Sequence, residues 1–297
     1  MKKNKILNIV KFGLIFYFFL IGCASHPNHH KPSLIHAKNW ICFYGSSLPI
    51  EVYSSLDLAI LDPDSFILQS QYISIEKNKP NFVRVGYMSV GEVEQFRWYW
   101  PKAKGKKFVL EPNPNWPESS YVDIRSLEWQ ELLISEVIPK IFSKGYQGLF
   151  LDTLDTAEYL EWKDPVKYAG SLKAMKDFVL KLRKLFPSKF IITNNALSLM
   201  NEWGEHIDGA LVEDLYHHYN FEKKFYEATS AEHDFEKEKK MVPFLEKFKR
   251  PIFVIIYANK EQEKSIRISV RKAKQKGFFP YVSTLGLNEV GWVNPNE

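Results

Sequence analysis

The chain predicts a single (β/α)8 TIM barrel of the α/β class, and three observations carry that expectation. Eight short apolar runs recur along it, amphipathic helical patterns lie between most of them, and about 260 residues follow the N-terminal leader without a linker-like interruption. With 45% hydrophobic residues there is enough apolar material for one large core. Alternating strand and helix signals lead to a parallel sheet. Eight strands in one domain of this length favour a closed barrel over a doubly wound sheet. The doubly wound sheet stays the alternative, weakened because no glycine-rich phosphate fingerprint follows the first strand.

In chain order, the leader comes first. Lys2, Lys3, Lys5 and Lys11 precede an apolar run from Phe12 to Ile21, followed by Gly22 and Cys23. A bilayer span needs about 20 apolar residues, so this shorter run reads as an export signal over 1–22. Leu20-Ile21-Gly22-Cys23 resembles the lipobox of bacterial lipoproteins, which implies lipidation of Cys23 and a membrane-anchored protein of the cell envelope. An ordinary signal peptide and an uncleaved anchor are the alternatives. Residues 23–38 carry Pro27, Pro32, His26, His29 and His30 without apolar periodicity, and read as a solvated tether rather than a metal site. The barrel is expected over 39–297.

Four of the 40 Lys and Arg lie before Cys23 and no acid does, which leaves 36 against 35 after it. So even a balance lacks the electrostatic footprint of a nucleic-acid binder, and no nucleic acid is expected as partner. If Cys23 is acylated, Cys42 has no partner; within Trp40-Ile41-Cys42-Phe43-Tyr44 it reads as a small buried thiol. A monomer is expected.

The strand-like runs are Trp40 to Tyr44, Leu58 to Leu61, Val83 to Met88, Leu149 to Asp152, Phe190 to Thr193, Ala210 to Glu213, Ile252 to Tyr257 and Phe278 to Val282. The first helix must be short, since about a dozen residues separate Tyr44 from Leu58. A helix from about Leu127 to Ser143, preceded by Ser126, should be kinked or shortened at Pro139. Asp164 and Pro165 predict a helix start near Val166, with Pro187 ending it after Phe186. Another runs from about Gln262 to Lys276 and stops at Gly277. From Glu92 to about Tyr121 lies an unusually long polar, proline-bearing connection with Trp98-Tyr99-Trp100 and Trp116. Its rings either stack on a ligand or pack the loop onto the barrel.

Two of the runs begin at glycine and end on acid: Gly148-Leu149-Phe150-Leu151-Asp152 and Gly209-Ala210-Leu211-Val212-Glu213. In a barrel both acids lie at the C-terminal strand ends, the face that carries active sites. Two carboxylates there are the minimum equipment for acid/base chemistry. Strand spacing places their positions about 10 Å apart before the side chains lean inward. Tyr44, Asp62, Tyr87, Ser89, Glu92, Asn194, Asn195, Tyr257, Tyr281 and Ser283 gather at the same expected rim, and Asp155 follows Asp152 by three residues. Any one of these alone fits an ordinary strand-end hydrogen bonder.

Gly86-Tyr87-Met88-Ser89-Val90-Gly91-Glu92 with Arg97 and Trp98-Tyr99, Tyr121-Val122-Asp123-Ile124-Arg125, Gly148 to Asp155, and Gly209 to Glu213 together resemble the glycoside hydrolase family 114 barrels, the endo-α-1,4-polygalactosaminidases and their bacterial relatives. The resemblance implies a (β/α)8 fold and cofactor-free hydrolysis of α-1,4-linked galactosamine-rich polysaccharide. It implies Asp152 as nucleophile and Glu213 as acid/base. On that basis Tyr44, Asp62, Tyr87, Glu92, Asp155, Asn195 and Tyr257 are the expected substrate-binding residues, with no metal, since no histidine falls at a convincing ligand position. The rivals are a carbohydrate-binding lipoprotein without turnover on the same barrel, and a surface interaction lipoprotein that needs no acid pair.

Overall fold

The computed structural model describes residues 31–291. The signal expected over 1–22, Cys23, and the tether histidines lie outside the described residues. The last part of the expected tether is packed: Ser33 caps a helical turn at Leu34–His36, and Leu34 and Ala37 are buried against the core. No helix among the described residues is long and apolar enough to cross a membrane.

All eight strands form: β1 (Trp40–Phe43), β2 (Leu58–Leu61), β3 (Val83–Ser89), β4 (Gly148–Asp152), β5 (Phe190–Asn194), β6 (Gly209–Val212), β7 (Ile252–Tyr257) and β8 (Phe279–Ser283). They pair in parallel in simple sequential order from β1 to β8. That order is the barrel's and excludes the doubly wound alternative, which requires the order to reverse at a switch point. Nearly every strand residue is buried, as expected of a sheet covered by helices outside and filled by side chains inside. Between β8 and β1 the barrel is joined by Trp40, which packs on Tyr281 at 5.3 Å and on Phe253 at 4.9 Å. The main-chain N–H of Tyr44 donates across the same seam to Leu287 at 2.7 Å. Gly148 opens β4 because a Cβ there would stand 2.4 Å from the Cβ of Phe190 and 2.5 Å from its carbonyl oxygen.

The helices follow the pattern with two corrections. The first is one short piece, Ile50–Ser55, and the last, Glu263–Gln275, ends before Gly277 at φ 80°. Ser126 caps a helix at Leu127, which passes through a π turn at Leu133–Val137 directly before Pro139 and continues over Ile138–Ser143. The proline nitrogen, which has no N–H to donate to the i−4 carbonyl, is absorbed by the wider turn instead of ending the helix. The helix expected from Val166 begins at Ser171 and runs to Leu185; its predecessor residue Gly170 has φ 86°, and Asp164 instead caps a turn through the N–H groups of Val166 and Lys167. Val166, placed on the apolar stripe by sequence, is exposed. An additional helix, Thr156–Lys163, follows β4.

The stretch expected as a long loop is a three-stranded antiparallel sheet, with Glu92–Glu94 and Val109–Asn113 flanking Trp116–Val122. Pro112 sits on an edge strand at a register irregularity and Pro117 near the start of the central one, where a missing N–H is tolerated. Tyr99 is buried and Trp98 lies under the Lys140 ammonium at 3.8 Å, so these rings pack the insertion down. Trp116 stays 48% exposed. After β6 come a hairpin, His217–Asn220 with Phe225–Ala228, and a long helix, Ala231–Phe248, capped by Ser230.

Candidate active site

Asp152 closes β4 and Glu213 follows β6 directly. Between them, the last residue of β5 supplies the link: one amide nitrogen of Asn194, Nδ2, lies 2.7 Å from Asp152 Oδ1 and 3.2 Å from Glu213 Oε1. The orientation of that amide follows from chemistry, since only its NH2 end can donate to the ionised Asp152. The sum of the two bonds bounds the separation of these oxygens at about 5.9 Å, and linear bonds at a trigonal nitrogen bring it to about 5.1 Å. The neighbouring Asn195 accepts the main-chain N–H of Glu213 at 3.1 Å, and the N–H of Thr153 donates to Asp152 Oδ1 at 2.7 Å. Asparagines from one strand thus hold the acids of its two neighbours.

Burial, then the charges of Asp152 and Asp214, push the Glu213 carboxyl up to about 8, against the hydrogen bond from Asn194. It is therefore a proton donor at neutral pH. Asp155 stands at the start of the helix Thr156–Lys163 without capping it; its side chain is exposed, while the protein packed about it and the Asp152 charge push it up to about 6. Burial above all raises the phenols of Tyr44, Tyr87 and Tyr257 well above their ordinary value, so they remain neutral donors around the acids. Tyr44 meets Tyr87 edge-on at 5.0 Å. The Cys42 thiol is buried inside the same wall and raised by burial, which keeps it protonated.

Besides Asn195, three expected binding residues have side chains engaged with protein. Asp62 is buried and ion-paired to Arg97 at 2.7 Å, and Arg97 also binds Glu94 at 2.6 Å and covers the Tyr87 ring. The Tyr87 hydroxyl donates to Glu94 at 3.1 Å. Glu92, buried, accepts from Asn113 at 2.9 Å and from Ser119 at 2.6 Å, which ties the three strands of the insertion together. Tyr257 accepts His217 Nδ1 on its carbonyl while its ring lies near Glu213. Among the described residues no group of three His, Cys, Asp or Glu is placed to hold a metal ion.

Two contributors went unselected on sequence. Thr153, at φ 59°, gathers Val90 N–H, Gly91 N–H and Ser89 Oγ on its hydroxyl, at 3.2, 2.9 and 2.9 Å, and so locks the β3 and β4 ends together. Lys237, on the long helix after β6, donates to the main-chain carbonyls of Glu213 and Asp214 at 2.6 and 3.3 Å. The first had a signal in its position beside Asp152; the second had none, being 24 residues from the acid it touches.

Solved structures share this architecture. The glycoside hydrolase domain of PelA from Pseudomonas aeruginosa is 22% identical, with 86% of this chain and 98% of that one covered at a TM-score of 0.73. Ega3 of Aspergillus fumigatus, solved in complex with galactosamine, is 14% identical, with 89% and 97% covered at a TM-score of 0.66. An uncharacterized protein of Thermotoga maritima is 24% identical over 226 residues, 71% of this chain and 69% of its own length. The model of glycoside-hydrolase family GH114 matches residues 24–296, and the chain belongs to that family.

Proposed function

We propose that this glycoside hydrolase cleaves α-1,4-linked, galactosamine-rich polysaccharide with retention of anomeric configuration, using Asp152 as nucleophile and Glu213 as acid/base. The observation that carries the mechanism is the Asn194 amide shared by both carboxyl groups, because it limits the two bridged oxygens to a separation of about 5.9 Å. Retaining pairs stand about 5–5.5 Å apart, whereas inverting pairs need roughly 6.5–9.5 Å to admit a water. The substrate class rests on the family and on the galactosamine bound by Ega3.

In the first step a carboxylate oxygen of Asp152 bonds to the anomeric carbon as the glycosidic C–O bond breaks, and the proton of Glu213 passes to the leaving oxygen. In the second, ionised Glu213 takes a proton from water, whose oxygen displaces the Asp152 carboxylate and releases the sugar. Export and a lipid anchor at Cys23 belong to the same proposal and rest on the sequence of the leader.

Proton NMR of the first-formed reducing end of a partly deacetylated α-1,4-galactosamine polymer tests this, with an α-anomer expected. Asp152→Asn and Glu213→Gln should each lower reducing-end release at least about 1,000-fold. A β-anomer overturns retention. Full activity in either variant overturns the assignment, and binding without cleavage by the unaltered protein returns the non-catalytic rival.

A further inference from the structure

The corner that follows β6 is unusual in its backbone. Asp214 and Tyr216 both lie in the left-handed region, at φ 54° and 70°, directly after the Glu213 that the proposed mechanism uses. Non-glycine residues do not hold such angles unless their surroundings impose them. The long helix Ala231–Phe248 does so through three side chains. Asp234 accepts the N–H of Tyr216 at 3.0 Å, and Glu238 accepts its hydroxyl at 2.7 Å. Lys237 reaches between them to the carbonyls of Glu213 and Asp214.

The carbonyls alone do not require a lysine, since any neutral donor would satisfy them. An ammonium here is costly: burial lowers its proton affinity, and the carboxylates of Asp214, Glu213 and Asp155, in that order, oppose the loss. A charge kept against desolvation, beside a cluster of acids, points to a role for the charge itself.

We propose that Lys237 is a positioning residue for hydrolysis, clamping the Glu213–Asp214 corner so that the Glu213 carboxyl meets Asn194, and placing a fixed positive charge behind it. This rests on Glu213 being the acid/base. The other groups facing Glu213 are Asp152 and Asp155 from β4 and its loop, adjacent Asp214, Cys42 and Tyr44 from β1, and Tyr257 from β7; His218 and His233 face Asp214. The ionisable members of that set are mostly acids, and each carboxylate raises the proton affinity of Glu213. Lys237 acts in the opposite sense.

The test is the pH profile of kcat/KM on partly deacetylated α-1,4-galactosamine polymer for the full chain, Lys237→Met and Lys237→Arg. Lys237→Met should lower kcat about 10- to 100-fold with little change in KM. Its alkaline limb, where Glu213 loses its proton, should move up by about one pH unit, because removing a cation favours the protonated acid. Lys237→Arg should restore the limb and most of kcat. Lost activity with an unmoved limb makes Lys237 merely structural and overturns the proposal, as does a Lys237→Met variant within twofold of the unaltered chain. Full activity in Glu213→Gln sinks the acid assignment instead, whatever Lys237 does. Should Lys237→Met fail to fold, Lys237→Gln carries the same comparison, since it keeps a donor and removes the charge.

Discussion

Three successive strand ends turn through the left-handed region immediately after a residue of the site: Thr153 after Asp152, Asn195 after Asn194 and Asp214 after Glu213, at φ 59°, 48° and 54°. Each costs on the order of 1 kcal/mol or more, and the repetition places the strain where side chains must converge. Glu213 adds a second, pH-dependent cost. Its folded carboxyl sits near 8 whereas the unfolded one ionises near 4.5. Below about 4.5 both states are protonated and nothing is lost. Between about 4.5 and 8 the unfolded chain releases a proton that the folded one keeps, so this group's contribution to stability falls as pH rises. Glu213→Gln removes the penalty. The variant should therefore be inactive yet resist urea better than the unaltered protein at pH 7.5, with the difference shrinking toward pH 4.5. Equal midpoints at pH 7.5 would count against the raised proton affinity.

At the scale of elements, the insertion after β3 and the hairpin after β6 meet although their roots lie three strands apart. Trp116 touches Phe221 edge-on, with ring centroids 5.9 Å apart, and Phe221 in turn contacts Tyr219 at 5.3 Å. An aromatic pair of this kind contributes about 0.5–1.5 kcal/mol. Trp116→Ala should thus accelerate amide hydrogen exchange across residues 217–228 by about two- to tenfold while the barrel strands stay protected. Unchanged exchange would mean that the hairpin stands without the bridge. Neither the insertion sheet nor the long helix that follows the hairpin was legible in sequence, for definable reasons. Pro112, Pro114 and Pro117 mask the strand alternation of the insertion, and the helix Ala231–Phe248 carries Pro243 and buries few apolar residues, Met241 and Phe244 among them. By contrast the barrel strands are short, largely apolar runs, so the ends read from sequence lie within about a residue of the observed ones for all eight. The acid pair was legible for the same reason, as charge at the end of an apolar run. The bridge made by Asn194 was not, because Asn194 and Asn195 are chemically identical, and only the strand's pleat decides that the first reaches both acids while the second takes a backbone N–H.

At the scale of the whole molecule, charge is distributed unevenly. Basic residues outnumber acidic ones, 40 to 35, yet Glu92, Asp152, Asp155 and Asp214 converge about the protonated Glu213 at one end of the barrel, with Lys237 among them. A cleft with low-dielectric walls and an excess of one charge concentrates ligands of the opposite sign. For the proposed substrate at pH 7, where Asp155 is largely ionised, this separates free amines, which are largely cationic, from acetylated ones, which are neutral. The attraction acts over the Debye length, about 10 Å at 0.1 M salt and 3 Å at 1 M, whereas hydrogen bonds inside the cleft are little screened. Raising sodium chloride from 0.05 to 0.5 M should lower kcat/KM on the deacetylated polymer several-fold, mainly through KM, and leave the fully acetylated polymer within about twofold. Asp155→Asn should flatten the salt dependence, since the Asp155 side chain is exposed and outside the Asn194 bridge. Equal salt dependence on both polymers would show that the cleft reads sugar shape and linkage rather than amine charge.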